Sequence, residues 1–152
     1  MRLSARSRYG ARLLLDLAQH GQGRPVHLTE VATREELPVK FLEQIAIPFR
    51  QAGLLTSVRG PKGGYLLARP PAEISLAEVV AVLEGEELTD CLADAGRCRR
   101  VGTCLTRRVW QEAGRAFYDK LRSISLADLL NQGREFPEEN GHVQPRGHGA
   151  FQ

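Results

Sequence analysis

Three cysteine side chains in one short segment are the residues of this chain best suited to chemistry. Cys91, Cys98 and Cys104 are its only cysteines, and glycine and arginine residues surround them. Reduced cysteine usually lies buried as a small hydrophobe, but this composition is typical of a loop. Because a loop does not bury three thiols in an apolar interior, we expect the sulfur atoms to have a chemical role.

Three interpretations of the thiols are open: unrelated free cysteines, a thiol/disulfide switch with one cysteine left over, and a metal or cluster site. Thiolates bind zinc, copper(I) and iron–sulfur clusters. Structural zinc sites favour cysteine pairs about two to four residues apart and four protein ligands. Here six and five residues separate the cysteines, and there is no fourth. Such wide gaps favour a loop that surrounds a group larger than one metal ion, such as a cluster. The nearby arginines favour the thiolate form of cysteine over the thiol.

The rest of the chain sets the context of these thiols. Its 152 residues are enough for one core, and no apolar run approaches the ~20 residues that span a membrane. The start of the chain lacks the apolar stretch of a signal peptide, so with an odd number of cysteines we expect a reducing, cytoplasmic setting. Residues 1–69 carry 11 Lys and Arg against 5 Asp and Glu, which suggests a polyanionic partner for this half.

A helix-turn-helix is predicted in the basic half. Apolar spacing predicts a first helix over 5–20, a short second helix capped by Thr29, and a third over about 39–47. Because proline lacks a backbone donor, Pro48 should distort the helix, which is expected to continue as a distorted turn to Gln51. In a helix-turn-helix the second of the two short helices enters the DNA major groove. Its outward face here carries four side chains, Lys40, Glu43, Gln44 and Ile47.

A β-hairpin follows, with strands predicted over 54–59 and 64–68. The turn between them is a Gly-Pro-Lys-Gly-Gly sequence, rich in residues that tolerate unusual backbone angles. A helix-turn-helix followed by a hairpin makes a winged helix. Arg59 and Lys62 lie at the tip of this wing, where they can contact phosphates or a minor groove.

The second half of the chain is predicted to be helical. Ser75 and Glu78 form a capping box for a helix that Gly85 ends. The cysteine loop occupies roughly 86–104, and a longer helix should run over about 105–122. That helix has an apolar stripe of Val109, Ala113, Ala116, Phe117 and Leu121. The chain has too few other elements to cover the stripe, so we expect it to pair with its copy in a homodimer.

These patterns divide the chain into three parts. Residues 1–70 are predicted to form a winged-helix DNA-binding domain, residues 71–132 the cluster-binding loop and dimerisation helices, and residues 133–152 a disordered tail. The predicted fold class is therefore mainly α with a small β-hairpin, a winged helix-turn-helix plus a long dimerisation helix.

Several motifs resemble the IscR/NsrR/RirA group of bacterial winged-helix transcription regulators. They are Met1-Arg-Leu-Ser, Phe41-Leu-Glu-Gln, Gly53-Leu-Leu, Ser57-Val-Arg-Gly-Pro-Lys-Gly-Gly-Tyr65-Leu-Leu and Cys104-Leu-Thr, and the match covers about residues 1–132. The resemblance implies a homodimer on a palindromic double-stranded DNA operator. It also implies an iron–sulfur cluster, of the 2Fe-2S or 4Fe-4S type, held by the three cysteines and a non-cysteine fourth ligand. Glu43, Gln44 and Arg59 match family positions that contact DNA.

The chain departs from this group at the fourth cluster ligand. IscR-like members place a histidine three residues after the last cysteine, where this chain has Arg107. NsrR-like members use an acidic residue near the N-terminus, where it has Arg8. Arginine stays protonated and is a poor ligand. Water, a small thiol, or a carboxylate such as Asp90 or Asp94 could fill the position instead.

We therefore interpret the chain as a DNA-binding transcriptional regulator and not an enzyme. It would sense cluster status, redox state or nitric oxide through a cluster bound by the three cysteines. The alternative is a DNA-binding regulator that senses oxidants through a thiol/disulfide switch without a cluster. The residues expected to bind DNA are Arg2, Lys40, Glu43, Gln44, Arg59 and Lys62.

Overall fold

Seven helices and one two-stranded hairpin make up residues 3–135, the part of the chain that our computed structural model describes. The elements in chain order are α1 (Ala5–His20), α2 (Leu28–Glu35), α3 (Val39–Gln51), β1 (Leu55–Val58), β2 (Gly64–Leu67), α4 (Leu76–Glu84), α5 (Asp90–Ala93), α6 (Arg107–Arg122) and α7 (Leu126–Glu135). Short 3-10 turns lie at Pro71–Glu73 and Ala95–Arg97. This mainly helical fold with a small hairpin confirms the predicted fold class.

α1 occupies its predicted range and lies at the centre of the fold. Ser4 caps it, accepting a hydrogen bond from the Ser7 amide over 3.2 Å, as hydroxyl N-caps do. Leu13, Leu14 and Leu17 are buried on one face of the helix. Because α1 contacts α2, α3, α4 and α7, four of the other helices are arranged around it.

α2 begins at Leu28, one residue before its predicted cap. His27 is the N-cap, and its backbone amide donates to the Glu30 carboxylate over 3.3 Å. Thr29 therefore lies inside the first turn, and the prediction that it caps the helix is wrong. Glu36 ends α2 in the left-handed region, with φ of 53°, and turns the chain towards α3.

α3 continues as α-helix through Pro48 and ends at Gln51, the residue predicted to end its last turn, so only the expected loss of regularity after residue 47 is wrong. Proline removes a backbone donor and costs about 3 kcal/mol in a helix interior. Burial outweighs this cost, because Ile45 and Phe49 on either side are completely buried. Each such side chain contributes about 1.5–3 kcal/mol.

β1 and β2 form an antiparallel hairpin in which Ser57 lies opposite Tyr65. Both strands are slightly shorter than predicted. The Tyr65 amide and carbonyl also exchange hydrogen bonds with Val26, over 2.8 and 3.0 Å, which joins the hairpin to the chain between α1 and α2. Gly64 has φ of +139°, and a Cβ there would lie 2.4 Å from the Val26 oxygen, so this close approach requires glycine.

The second half of the chain shares its core with the first. Ser75 and Glu78 cap α4 reciprocally, each accepting from the other's backbone amide, over 3.3 and 2.9 Å, which confirms the predicted capping box. The Leu126 amide donates to the Ile74 carbonyl over 3.0 Å and joins α7 to the start of α4. Ile74, Val79 and Leu126 are completely buried in the same cluster as the apolar face of α1.

α7 continues to Glu135, so residues 133–135 of the predicted tail are helical. The rest of that tail, residues 136–152, lies outside the described residues. Within residues 3–135, none of the helices is long and apolar enough to cross a membrane.

Candidate nucleic-acid interface and cysteine segment

The outward face of α3 carries a polar stripe that is open to solvent. Lys40, Glu43 and Gln44 are exposed on it, while Leu42 and Ile45 on the opposite face are completely buried. Side chains three and four residues apart share one helix face. The structure therefore places the three polar side chains together on the second helix of the helix-turn-helix.

The tip of the hairpin presents two basic side chains. Arg59 and Lys62 are both exposed between β1 and β2. The Gly63 amide donates to the Gly60 carbonyl over 2.9 Å and closes the turn. A Cβ on Gly63 would lie 2.2 Å from a backbone oxygen, so the turn depends on glycine at this position. Arg2, the remaining residue expected at the DNA, lies outside the described residues.

A buried ion pair holds α2 against α1. The Asp16 side chain is fully buried, and its two oxygens accept hydrogen bonds of 2.7 Å each from Arg34. These hydrogen bonds raise the pKa of Arg34 above its usual value. Arg12 makes a second bridge to Glu35 over 2.7 Å. No local pattern predicted either pair, because the partners are 18 and 23 residues apart, yet they fix the helix that supports α3.

The three cysteines lie at separate points of the segment between α4 and α6. Cys91 is in α5, Cys98 follows the second 3-10 turn, and Cys104 lies shortly before α6. All three are free thiols of intermediate exposure. Within residues 3–135, no group of three or more Cys, His, Asp or Glu side chains is arranged to hold a metal ion. The described fold therefore does not gather the three sulfur atoms.

The donor chemistry of this segment nevertheless fits an iron–sulfur cluster. Thiolates are the usual ligands of such clusters, and three thiols are accessible here without disulfides. Only short helical turns occur between α4 and α6, and residues 86–106 contribute nothing to the buried core. Binding one ligand through all three thiols would require the segment to close around it, and the core would not have to change.

The pKa of the Cys104 thiol is lowered from its ordinary value. The hydrogen bond between its sulfur and the Thr106 hydroxyl, at 3.4 Å, is the largest cause. The backbone amides of Thr106 and Arg107 and the charge of Arg100 act in the same direction. Because the thiolate is the form that binds metals and attacks disulfides, these neighbours favour chemistry at Cys104.

Arg107 lies beside the cysteine segment, where its guanidinium has a structural partner. Its Nη1 donates a 2.6 Å hydrogen bond to the backbone carbonyl of Cys91. Asp94 accepts a backbone hydrogen bond of 2.9 Å within its own turn, Asp90 is exposed at the start of α5, and Arg8 is exposed on α1. Arg107 therefore positions the first cysteine relative to α6, a role that sequence spacing did not predict.

A junction lies where the cysteine segment leaves α4. Glu84 accepts hydrogen bonds from the Ser4 amide, over 3.1 Å, and from the Ser7 hydroxyl, over 2.5 Å. Gly85, the next residue, has φ of +84°, and its carbonyl accepts a hydrogen bond from the Tyr118 hydroxyl of α6. The base of the segment is thus attached to both α1 and α6. Apart from the glycine itself, no sequence signal pointed to this junction.

The predicted apolar stripe of α6 has two parts. Phe117 and Leu121 are half-buried and belong to a small cluster around Val80 of α4. In contrast, Val109 and Trp110 are 56% and 45% exposed. The open part of the stripe is Val109, Ala113 and Ala116, and together with Trp110 on the neighbouring face it forms what we call the exposed α6 surface. Only this part of the stripe is free to meet another molecule.

Comparison with known proteins identifies a family and individual proteins that this chain resembles. The family described as "Rrf2: Iron-dependent Transcriptional regulator" matches residues 3–132. A protein named rrf2 from Nitratidesulfovibrio vulgaris is 40% identical over 146 residues, which are 95% of this chain and 97% of that protein.

Two solved structures show the same fold. The structure of T. potens IscR has a TM-score of 0.73 at 35% identity, and the alignment covers 94% of this chain and 96% of that chain. CymR (YrzC), the global cysteine regulator of B. subtilis, has a TM-score of 0.70 at 31% identity, with 87% and 98% covered. Both likenesses extend over most of this chain.

Proposed function

The chain belongs to the Rrf2 family of transcriptional regulators, and on that premise we propose that it binds operator DNA and senses a chemical signal through its cysteine segment. Membership of a family of regulators also confirms the prediction that the chain is not an enzyme. Two regions support the proposal: α3 with the hairpin tip, and the residues between α4 and α6.

The polar stripe of α3 beside the basic hairpin tip is the observation that carries DNA binding. Polar side chains read base edges in the major groove, where Gln44 can pair with adenine and Glu43 can accept from a cytosine amino group. Arg59 and Lys62 would contact phosphates or a minor groove. Because α3 and the hairpin share one core, both can contact the same duplex of DNA.

We place a second copy of the chain on the exposed α6 surface. Val109 and Trp110 are exposed there, and Leu105, just before the helix, is 94% exposed. A cluster of large exposed hydrophobic side chains marks an interaction site, and a two-fold dimer would bury this surface against the same surface of the second copy. Such a dimer presents two copies of α3 and therefore favours a palindromic operator.

For the sensor, we propose an iron–sulfur cluster held by Cys91, Cys98 and Cys104. Three free thiols in one segment outside the core support it, and the family is described as iron-dependent. When bound, the cluster would supply redox chemistry. The chain itself provides the three thiolates, the hydrogen bond from Arg107 to the Cys91 carbonyl, and the junction at Glu84. Water, a small thiol or a carboxylate would fill the fourth position.

A thiol switch without a cluster is the second candidate, and the environment of Cys104 favours it. A peroxide would oxidise this thiolate to a sulfenic acid, with the oxidant reduced to an alcohol or water. A second thiol of the segment would then form a disulfide with it and release water. Both sensors need reduced thiols and DNA, so we place the protein in the cytoplasm.

Anaerobic purification separates the two sensors. Iron and acid-labile sulfide with visible absorption support the cluster, whereas a colourless protein with three titratable thiols supports the switch. Replacing any one cysteine with alanine should abolish iron retention, and Ser123→Ala, a distant exposed change, should leave it intact. Iron retention after the loss of one cysteine would contradict the three-thiolate site.

Selection from a random duplex library tests DNA binding. Enrichment of a palindromic sequence, with affinity that falls steeply as salt rises, is the expected result. Equal recovery of all duplexes at every salt concentration would contradict operator recognition by α3.

A further inference from the structure

We propose that Ile47 determines operator specificity by contacting the 5-methyl group of a thymine, an inference that rests on the proposed DNA binding through α3. Ile47 is 51% exposed. It lies four residues after Glu43 and three after Gln44, and therefore on the same helix face as these two polar side chains.

The exposure of Ile47 is unusual for this helix. α3 buries Leu42, Ile45 and Phe49 completely, so its other large aliphatic and aromatic side chains turn towards the core or lie partly covered. Ile47 instead interrupts a polar face, with Gln44 on one side and exposed Arg50 on the other. An isolated exposed hydrophobe is common on protein surfaces, but this one directly follows the polar side chains proposed to read bases.

Helix geometry places Ile47 close to the bases that its neighbours would read. An α-helix rises about 1.5 Å per residue, so Ile47 lies about 6 Å along the axis from Glu43 and about 4.5 Å from Gln44. Base pairs are spaced about 3.4 Å apart. With α3 lying along the major groove, Ile47 would be one or two base steps from the base read by either side chain.

Chemistry identifies the group that Ile47 would contact. In the major groove, each base presents hydrogen-bonding groups, and thymine alone among the four adds an apolar methyl group. Isoleucine has no donor or acceptor, so it cannot pair with the polar edges. A branched apolar side chain between two polar ones is complementary to a thymine methyl beside bases read by hydrogen bonds.

The test uses the full chain and the duplex selected from the random library. Each thymine of one half-site is replaced singly by deoxyuridine, which removes only the methyl group. At one thymine we expect the wild type to bind about fourfold more weakly, the factor given by about 0.8 kcal/mol for one buried methyl group. Ile47→Ala should show no response at that position. Leu130→Ala, an apolar truncation on α7 away from α3 and from the exposed α6 surface, should respond like the wild type.

Four other outcomes are decisive against the assignment. Equal sensitivity of the wild type and Ile47→Ala at every thymine would overturn it. An altered sedimentation coefficient for Ile47→Ala, with unchanged DNA affinity, would assign Ile47 to a protein contact. If Arg59→Ala weakens binding but deoxyuridine has no effect on the wild type, the result supports the proposed DNA binding and contradicts only the thymine contact. Failure to select any duplex would overturn both proposals.

Discussion

The Ser7 hydroxyl donates a 2.5 Å hydrogen bond to the carboxylate of Glu84, which joins the first turn of α1 to the last turn of α4. Ser7 is 2% exposed, so this bond lies at the edge of the core. The cysteine segment begins directly after Glu84, and α1 packs against α2 and α3. The bond is therefore a direct connection between the proposed sensor and the helices proposed to bind DNA.

Acidification should weaken this connection. Hydrogen bonds from Ser4 and Ser7 are the main causes that lower the pKa of Glu84 below its usual value. A carboxylate with a lowered folded-state pKa stabilises the protein above its unfolded pKa of about 4.3, and this contribution is lost as pH falls through the folded value. In urea titrations, Glu84→Gln should lose less free energy of unfolding than the wild type between about pH 5 and pH 3.

The exposed neighbour Glu86 provides the control for that measurement. Glu86→Gln removes a carboxylate from the same acidic stretch and should follow the wild-type pH dependence. If Glu84→Gln and the wild type lose stability in parallel, the hydrogen bonds to Ser4 and Ser7 do not stabilise the charged carboxylate.

Removing the Arg107 side chain should loosen the cysteine segment. Its guanidinium donates to the Cys91 carbonyl over 2.6 Å, so opening the segment breaks this bond. In metal-free Arg107→Ala, amide hydrogens near Cys91 should exchange about fivefold faster, the factor that one hydrogen bond of about 1 kcal/mol supplies. Arg108→Ala removes an exposed ion pair with Glu112 and should leave the exchange unchanged. Equal exchange in all three proteins would show that the bond does not hold the segment.

Arg107→His should lengthen the lifetime of a bound cluster in air. An imidazole is a suitable iron ligand, and histidine at this position would close a site that arginine leaves to other donors. Cluster absorbance under air should decay more slowly in Arg107→His than in the wild type or Arg107→Ala. Identical decay of the three proteins would place the fourth ligand elsewhere.

The charged residues of the DNA face should have different effects on binding. If Arg59 makes a specific base contact, Arg59→Ala should cost roughly 1–3 kcal/mol on the selected operator. Lys62→Ala should weaken binding to all duplexes and reduce the salt slope by about one. Glu43→Ala should broaden the sequences bound, because a carboxylate repels phosphate unless a base donates to it. Fluorescence anisotropy at several salt concentrations measures all three. A uniform loss of affinity in Glu43→Ala would be inconsistent with a selective role.

A charge on the exposed α6 surface should separate the proposed dimer. Trp110→Asp would bury an unpaired carboxylate between the subunits, so sedimentation should show a monomer and avidity for two half-sites should be lost. Phe117→Asp is a poorer test because Phe117 packs near Val80 within its own subunit. Glu112→Gln, on the same helix, should remain dimeric. A dimer that persists in Trp110→Asp would locate the interface elsewhere.

Local sequence patterns predicted the features that depend on one or two helical turns. The range of α1, the cap formed by Ser75 and Glu78, and the two faces of α3 all follow from spacing within a single element. Pro48 shows the limit of this reasoning, because the burial of its neighbours outweighs its local preference.

Long-range pairs could not be predicted in the same way. Ser7 and Glu84 are 77 positions apart, and serine and glutamate recur along the chain, so nothing in their spacing identifies them as partners. The cysteines are a different case. Their spacing predicts a shared ligand, but free thiols do not attract one another, and the described fold accordingly leaves them separate.

The burial of Leu126 has a consequence for the order of synthesis. Residues of α1, α3 and α7 close one core, and α7 is the last of these to leave the ribosome. A nascent chain therefore cannot complete this core before residues 86–106 have been made. A chain that terminates before α7 would leave uncovered the part of the core that Leu126 fills, and we expect it to be a substrate for cellular proteases. A copy whose core is complete thus already carries its full set of thiols.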